Sequence, residues 1–142
     1  MNTLAPVSEI MTINVLTVSP KDSLDNVANI FATHNIHHIP VVEEGKVVGM
    51  VSKLDFYKAT PFYNTSEHQL NIYLERKSVA DIMTRKIATV HKDERIDVAA
   101  LIFNENRFHA LPIVNDYKEL LGIVTPHDLI RYCFPITEKA WV

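Results

Sequence analysis

Apolar residues fall along the chain in two periodicities. Leu24, Val27, Ala28 and Phe31 lie at i, i+3, i+4 and i+7, and Ile96, Ala99, Ala100 and Phe103 repeat that spacing, which predicts two amphipathic helices. Each stripe follows a short β-prone run, Val15-Leu16-Thr17-Val18 in one case and Ile87-Ala88-Thr89-Val90 in the other. After the first stripe, Asn35-Ile36-His37-His38-Ile39-Pro40-Val41-Val42 and Val47-Val48-Gly49-Met50-Val51 read as two strands joined by Glu43-Glu44-Gly45-Lys46. After the second, Phe108-His109-Ala110-Leu111-Pro112-Ile113-Val114 and Leu120-Leu121-Gly122-Ile123-Val124 flank a turn at Asn115 to Glu119. Ser52 and Thr125 then stop the second strand of each pair and open a further helix. The predicted order is strand, helix, strand, strand, helix, twice over.

The two series are one duplicated sequence. Val7-Ser8-Glu9-Ile10-Met11-Thr12 is echoed by Val79-Ala80-Asp81-Ile82-Met83-Thr84, and Met83 minus Met11 gives an offset of 72. Asp25 and Asp97, Ile30-Phe31 and Ile102-Phe103, His37 and His109, and Pro40 and Pro112 keep that offset. Gly49 with Gly122 and Asp55 with Asp128 differ by 73, so one extra residue belongs in the second hairpin turn, where a surface insertion is tolerated. Repeat 1 is read as residues 1–60 and repeat 2 as 78–134. A partly helical linker at 61–77 lies between them, with Thr60-Pro61 as its break and Asn71 to Arg76 as its helix, and 135–142 forms a C-terminal tail. Tyr57, Phe62, Tyr63 and Tyr73 make that middle stretch too aromatic for a free linker, so it should pack on the repeats. A single repeat would bury too little surface for a comfortable core, so the two should form one compact unit.

Composition narrows the function. The chain has 142 residues, is 47% hydrophobic and 22% charged, and carries a formal net charge of -3, which suits a folded globular protein and supplies no basic stripe for DNA. No apolar run approaches the roughly 18 residues of a membrane span, and the first residues lack a basic segment followed by an apolar one, so the expected location is cytoplasmic, with no membrane partner. Cys133 is the single cysteine; between Tyr132 and Phe134 it is expected to be a buried, inert thiol.

Two features carry candidate chemistry. Gly49 and Gly122 stand at equivalent points inside strands, where glycine normally weakens the sheet, and their recurrence favours a ligand approaching the backbone over a bulge or tight strand packing. Ser52-Lys53-Leu54-Asp55 and Thr125-Pro126-His127-Asp128 are capping sequences, with Pro126 at a first-turn position that suits proline. The same turns present free N–H groups and a carboxylate able to accept from two ribose hydroxyls, so capping and nucleotide binding both remain open.

Gly-hydrophobe-x-Ser/Thr-x-x-Asp, behind a hydrophobe-Pro-hydrophobe-hydrophobe strand, a Val-x-x-Ile-Met-Thr opening and a Thr-Val strand, resembles the CBS domain, named for cystathionine beta-synthase. Two in tandem resemble a CBS pair, or Bateman module, over about Val7 to Arg131. The resemblance implies a mixed α+β fold of two β-α-β-β-α motifs packed as one pseudo-two-fold pair. It implies two clefts between the repeats: one combining Ser52 and Asp55 with Ile87, Ala88, Phe108, His109 and Pro112, the other combining Thr125 and Asp128 with Val15, Leu16, Ile36, His37 and Pro40. Lys53, Arg85, Lys86, Arg107, His37 and His109 are the candidate cations for phosphate. The implied ligand is an adenosine compound, AMP, ADP, ATP or S-adenosylmethionine, with no required cofactor. The implied role is regulatory: the pair senses nucleotide state, signals to a protein partner the sequence does not identify, and forms a homodimer.

Other readings are weaker. A ligand-free assembly module is one alternative. A His-based metal site around His34, His37 and His38 is another, opposed by strand geometry that points His37 and His38 to opposite faces and by missing cysteine or carboxylate partners. No nucleophile elbow, P-loop or symmetry-breaking carboxylate pair suggests catalysis, so no catalytic residue and no enzyme activity is expected.

Overall fold

The computed structural model describes residues 1–135, so the expected tail at 135–142 lies, apart from Pro135, outside the described residues. The first helix of each repeat forms where the stripe predicts: α1 is Leu24–Thr33 and α4 is Ile96–Asn104. Leu24, Val27 and Phe31 are buried on α1, and Ile96 and Ala99 on α4, while Ala100 falls on the exposed side of its stripe. The hairpins are β1 (His38–Glu43) with β2 (Lys46–Ser52), and β4 (Leu111–Val114) with β5 (Leu120–Val124), both antiparallel. Glu44 and Gly45 take φ of 51° and 79°, the two left-handed residues that a two-residue hairpin turn needs. The longer second turn is held by Asn115, whose Oδ1 accepts from the N–H groups of Tyr117 (2.9 Å) and Glu119 (3.0 Å). After β2 comes α2 (Lys53–Ala59), and after β5 comes α5 (Pro126–Cys133).

Four expectations change. The leading strands shrink: Val15-Leu16-Thr17 forms none, Val18 makes one parallel bridge to Val41, and β3 is only Val90–His91, parallel to β4. The reason is local, since the Ile13 carbonyl accepts from the Val15 N–H (2.9 Å) and the Arg85 carbonyl from the Ile87 N–H (3.1 Å), closing tight turns that take both stretches out of the sheet. The linker helix α3 is longer than expected, Glu67–Arg76, because Ser66 and Gln69 form a reciprocal cap: the Gln69 N–H donates to Ser66 Oγ (3.2 Å) and the Ser66 N–H to Gln69 Oε1 (3.3 Å). Its Tyr73 hydroxyl donates to the Ala59 carbonyl (2.6 Å) and Leu74 is buried, yet Tyr63, expected to pack, is 92% exposed. Cys133 is half-buried rather than buried.

The chain divides into two compact units that are not the two repeats. Unit 2 is Leu16–Ile87, and unit 1 joins Met1–Val15 to the described residues from Ala88 on. The opening of each repeat closes the body of the other. In unit 1 the Val7 N–H donates to the Glu94 carbonyl (2.7 Å) and Ile96 N–H to Ala5 (2.9 Å); in unit 2 Val79 N–H donates to Asp22 (2.8 Å) and Leu24 N–H to Lys77 (2.9 Å). These are the same bonds at repeat-equivalent positions. Each unit has its own core: Leu24, Val27, Ile39, Val41, Val51 and Val79 are central in unit 2, and Val7, Ile96, Leu111, Ile113 and Val124 in unit 1. Two buried clusters thus replace the single core expected from size, because the exchanged opening supplies the apolar residues one repeat body lacks.

Candidate functional site

In each unit one strand runs directly into the hydroxyl–carboxylate turn. β2 is flanked by the opening of repeat 2, where Met50 and Thr84 exchange N–H···O bonds of 3.0 and 2.9 Å. β5 is flanked by the opening of repeat 1, where Thr12 and Ile123 do the same at 2.9 and 3.0 Å. The glycines make this possible. A Cβ at Gly49 would meet the Thr84 carbonyl oxygen at 3.0 Å and Met83 Sδ at 3.1 Å; one at Gly122 would meet the Thr12 carbonyl oxygen and Met11 Sδ, both at 2.7 Å. The strand register also slips beside each glycine, between Val41 and Val42 and between Ile113 and Val114. What approaches these backbones is therefore a neighbouring chain segment at a bulge, which corrects the ligand-approach reading. The Ile-Met-Thr echo at offset 72 was the visible signal of these segments, but it marked repetition without saying that each crosses to the other repeat's body.

Both turns are capping boxes and leave one carboxylate oxygen over. In α2 the Ser52 N–H donates to Asp55 Oδ2 (3.1 Å) and the Asp55 N–H to Ser52 Oγ (2.9 Å). In α5 Asp128 Oδ2 accepts from the Thr125 N–H (2.8 Å) and the Thr125 hydroxyl (3.1 Å), while the Asp128 N–H turns to the Thr125 carbonyl (3.0 Å). All described bonds to these carboxylates end on Oδ2. No described hydrogen bond ends on either Oδ1, and both aspartates are half-buried rather than buried. Capping and ligand acceptance are then compatible: one oxygen fixes the turn and the other accepts. The turn in α2 is tied back further by the Lys53 N–H, which donates to the His37 carbonyl at 2.8 Å.

The other expected site residues divide between the units. Ile87 shares unit 2 with Ser52 and Asp55, and Val15 shares unit 1 with Thr125 and Asp128. Ala88, Phe108, His109 and Pro112 belong to unit 1, and Leu16, Ile36, His37 and Pro40 to unit 2. Pro40 and Pro112 are buried, His37 and His109 exposed, and Ile36 and Phe108 half-buried. Among the described residues no cluster of three or more His, Cys, Asp or Glu is placed to hold a metal ion, and no helix is long and apolar enough to cross a membrane.

A duplicated α/β body with the same hydroxyl–carboxylate turn in each half defines a tandem-repeat module with two equivalent turns. The CBS domain family model matches residues 7–61 and again residues 79–134, and the chain belongs to that family. Among solved structures, the CBS domain pair of protein MJ0100, in complex with 5′-methylthioadenosine and S-adenosyl-L-methionine, is 31% identical, with a TM-score of 0.74 over 92% of this chain and 96% of that one. The CBS-pair protein CBSX2 from Arabidopsis thaliana shares the fold at 24% identity, TM-score 0.76, over 92% of this chain and 95% of its own. Among curated relatives, L-aspartate semialdehyde sulfurtransferase of Methanocaldococcus jannaschii is 32% identical over 126 residues and inosine-5′-monophosphate dehydrogenase of Thermoplasma acidophilum 33% over 123. The chain covers 22% of the length of each, so their catalytic names belong to much larger proteins.

Proposed function

We propose that the chain is a regulatory module that binds an adenosine ligand and passes the bound state to a protein partner. The observation that carries this reading is the pair of turns in which Asp55 and Asp128 fix the helix cap with Oδ2 and leave Oδ1 without a described hydrogen bond. A solved relative 31% identical to this chain holds two adenosine compounds, which supports the same ligand class here. Each carboxylate accepts from the ribose hydroxyls, and the half-buried Ile87 and Val15 in the same units contribute apolar surface for the base. The residues carried over by resemblance, Ala88, Phe108, His109 and Pro112, and Leu16, Ile36, His37 and Pro40, are assigned to ligand binding on the same footing. The working form is a cytoplasmic homodimer that engages neither DNA nor membrane.

Thermal unfolding of the full chain with AMP, ATP, S-adenosylmethionine, 5′-methylthioadenosine, nickel and zinc tests the reading. An adenosine compound should raise Tm by several degrees at a hundredfold excess over Kd, which corresponds to about 2.7 kcal/mol. Stabilisation by a metal alone would overturn it.

A further inference from the structure

The two turns hold equivalent positions in the repeats and are opposite in charge. We propose that they take different ligands: the Ser52–Asp55 turn of unit 2 an adenosine compound bearing phosphate, and the Thr125–Asp128 turn of unit 1 one without phosphate, a neutral thioether or a sulfonium nucleoside. This rests on the adenosine-ligand reading above and deepens it.

Three pairs of repeat-equivalent positions carry the difference, one member of each pair in unit 2 and the other in unit 1. Lys53 in unit 2 corresponds to Pro126 in unit 1, Arg85 to Ile13, and Lys86 to Asn14. The two opening segments are bonded alike: each pairs with the strand entering its turn, through Thr84 with Met50 and Thr12 with Ile123, and each then bends in the same tight turn, Arg85 to Ile87 and Ile13 to Val15. Within Ser52–Asp55 and 83–87, Lys53 and Asp55 cancel and Arg85 and Lys86 leave +2; within Thr125–Asp128 and 11–15, Asp128 alone leaves -1 with His127 neutral. The difference is three charges at equivalent positions. Arg85 and Lys86 are exposed, Lys53 is half-buried, and none of the three joins an ion pair among the described residues, so all are free to meet an anion.

Phosphate is recognised through Lys and Arg, and without such cations a phosphorylated ligand would bring its charge up to a carboxylate unopposed. At the unit 1 turn a neutral or sulfonium ligand suffers no such repulsion, and a sulfonium is attracted to Asp128. Arg131 does not alter the contrast, because Lys58 is its counterpart on α2. Arg107, whose counterpart is Asn35, follows α4 rather than either segment and is retained in every variant below.

The test is titration calorimetry of the full chain with AMP and, separately, with 5′-methylthioadenosine. AMP affinity should fall at least about tenfold in Asp55→Asn and stay within about twofold of wild type in Asp128→Asn, with 5′-methylthioadenosine showing the reverse. The combined variant Lys53→Ala, Arg85→Ala, Lys86→Ala removes three charges that join no described ion pair and keeps the Lys53 backbone bond to His37, so its Tm should stay close to that of wild type. It should weaken AMP at least about tenfold, abolish the salt dependence of AMP binding, and leave 5′-methylthioadenosine untouched. AMP binding that follows Asp128, or that survives loss of the three cations, overturns the assignment while the adenosine reading stands. If neither compound binds, the adenosine reading itself falls, and this assignment with it.

Discussion

Gly122 shows how much one missing side chain does. With Met11 Sδ and the Thr12 carbonyl oxygen each 2.7 Å from where a Cβ would stand, Gly122→Ala must push the opening segment off β5, since a backbone oxygen cannot swing aside. Gly49→Ala faces the same kind of contact at 3.0 and 3.1 Å, so it should cost less. The expected losses are about 1–3 kcal/mol for such overpacking, larger at Gly122, and urea denaturation of the two variants checks the ranking. Equal or absent losses would mean the segments are not seated as described. The positions of both glycines could be read from the sequence as anomalies inside strands. What fills the space could not, because pairing of Thr12 with Ile123 spans most of the chain and leaves no local pattern. The hydroxyl–carboxylate turns were legible as Ser/Thr-x-x-Asp, but not that every described bond to each carboxylate would end on Oδ2.

At the level of elements, caps decide boundaries. Ser52→Ala removes the hydroxyl that accepts from the Asp55 N–H and should destabilise the chain by about 0.5–2 kcal/mol, which thermal unfolding would register. The short 3-10 turn Val79–Asp81 is capped by Ser78, whose N–H (2.9 Å) and hydroxyl (3.2 Å) donate to Asp81 Oδ2; the backbone bond first, then the hydroxyl, holds the Asp81 carboxyl below its ordinary value of 3.8. A carboxyl lowered on folding contributes stability that is complete above its unfolded value and is lost as pH falls through its folded one. The difference between wild type and Asp81→Asn should therefore be present at neutral pH and close as pH drops below 3.8; a gap that persists in acid would contradict the cap. The first helix of each repeat was legible because apolar residues at helical spacing fix a buried face, although Ala100 in the second stripe is exposed. The start of α3 was missed although Ser66-x-x-Gln69 announced it, and the leading strands were over-read because β propensity says nothing about whether Val15 to Thr17 find a partner.

At the scale of the whole molecule, the duplication was plain in the sequence, but the exchange of openings was not, since an offset identifies equivalent residues without saying which body each one closes. Unit 2 is contiguous, so a fragment of residues 16–87 should unfold cooperatively on its own. A fragment of residues 88–142 lacks Ala5 and Val7, both buried in the unit 1 core, and should show no cooperative transition; a sharp one would contradict the exchange. The central claim, that Asp55 and Asp128 each read a ribose, is tested most directly by calorimetry with AMP and 5′-methylthioadenosine and their 2′-deoxy forms on wild type, Asp55→Asn and Asp128→Asn. A charge-assisted hydrogen bond of about 1.5–3 kcal/mol predicts that wild type prefers the 2′-hydroxyl by about tenfold to somewhat over a hundredfold, and that the preference is lost at whichever site has its carboxylate replaced. Equal binding of ribose and 2′-deoxyribose forms by wild type, or a preference that survives both substitutions, would make the two turns helix caps and nothing more.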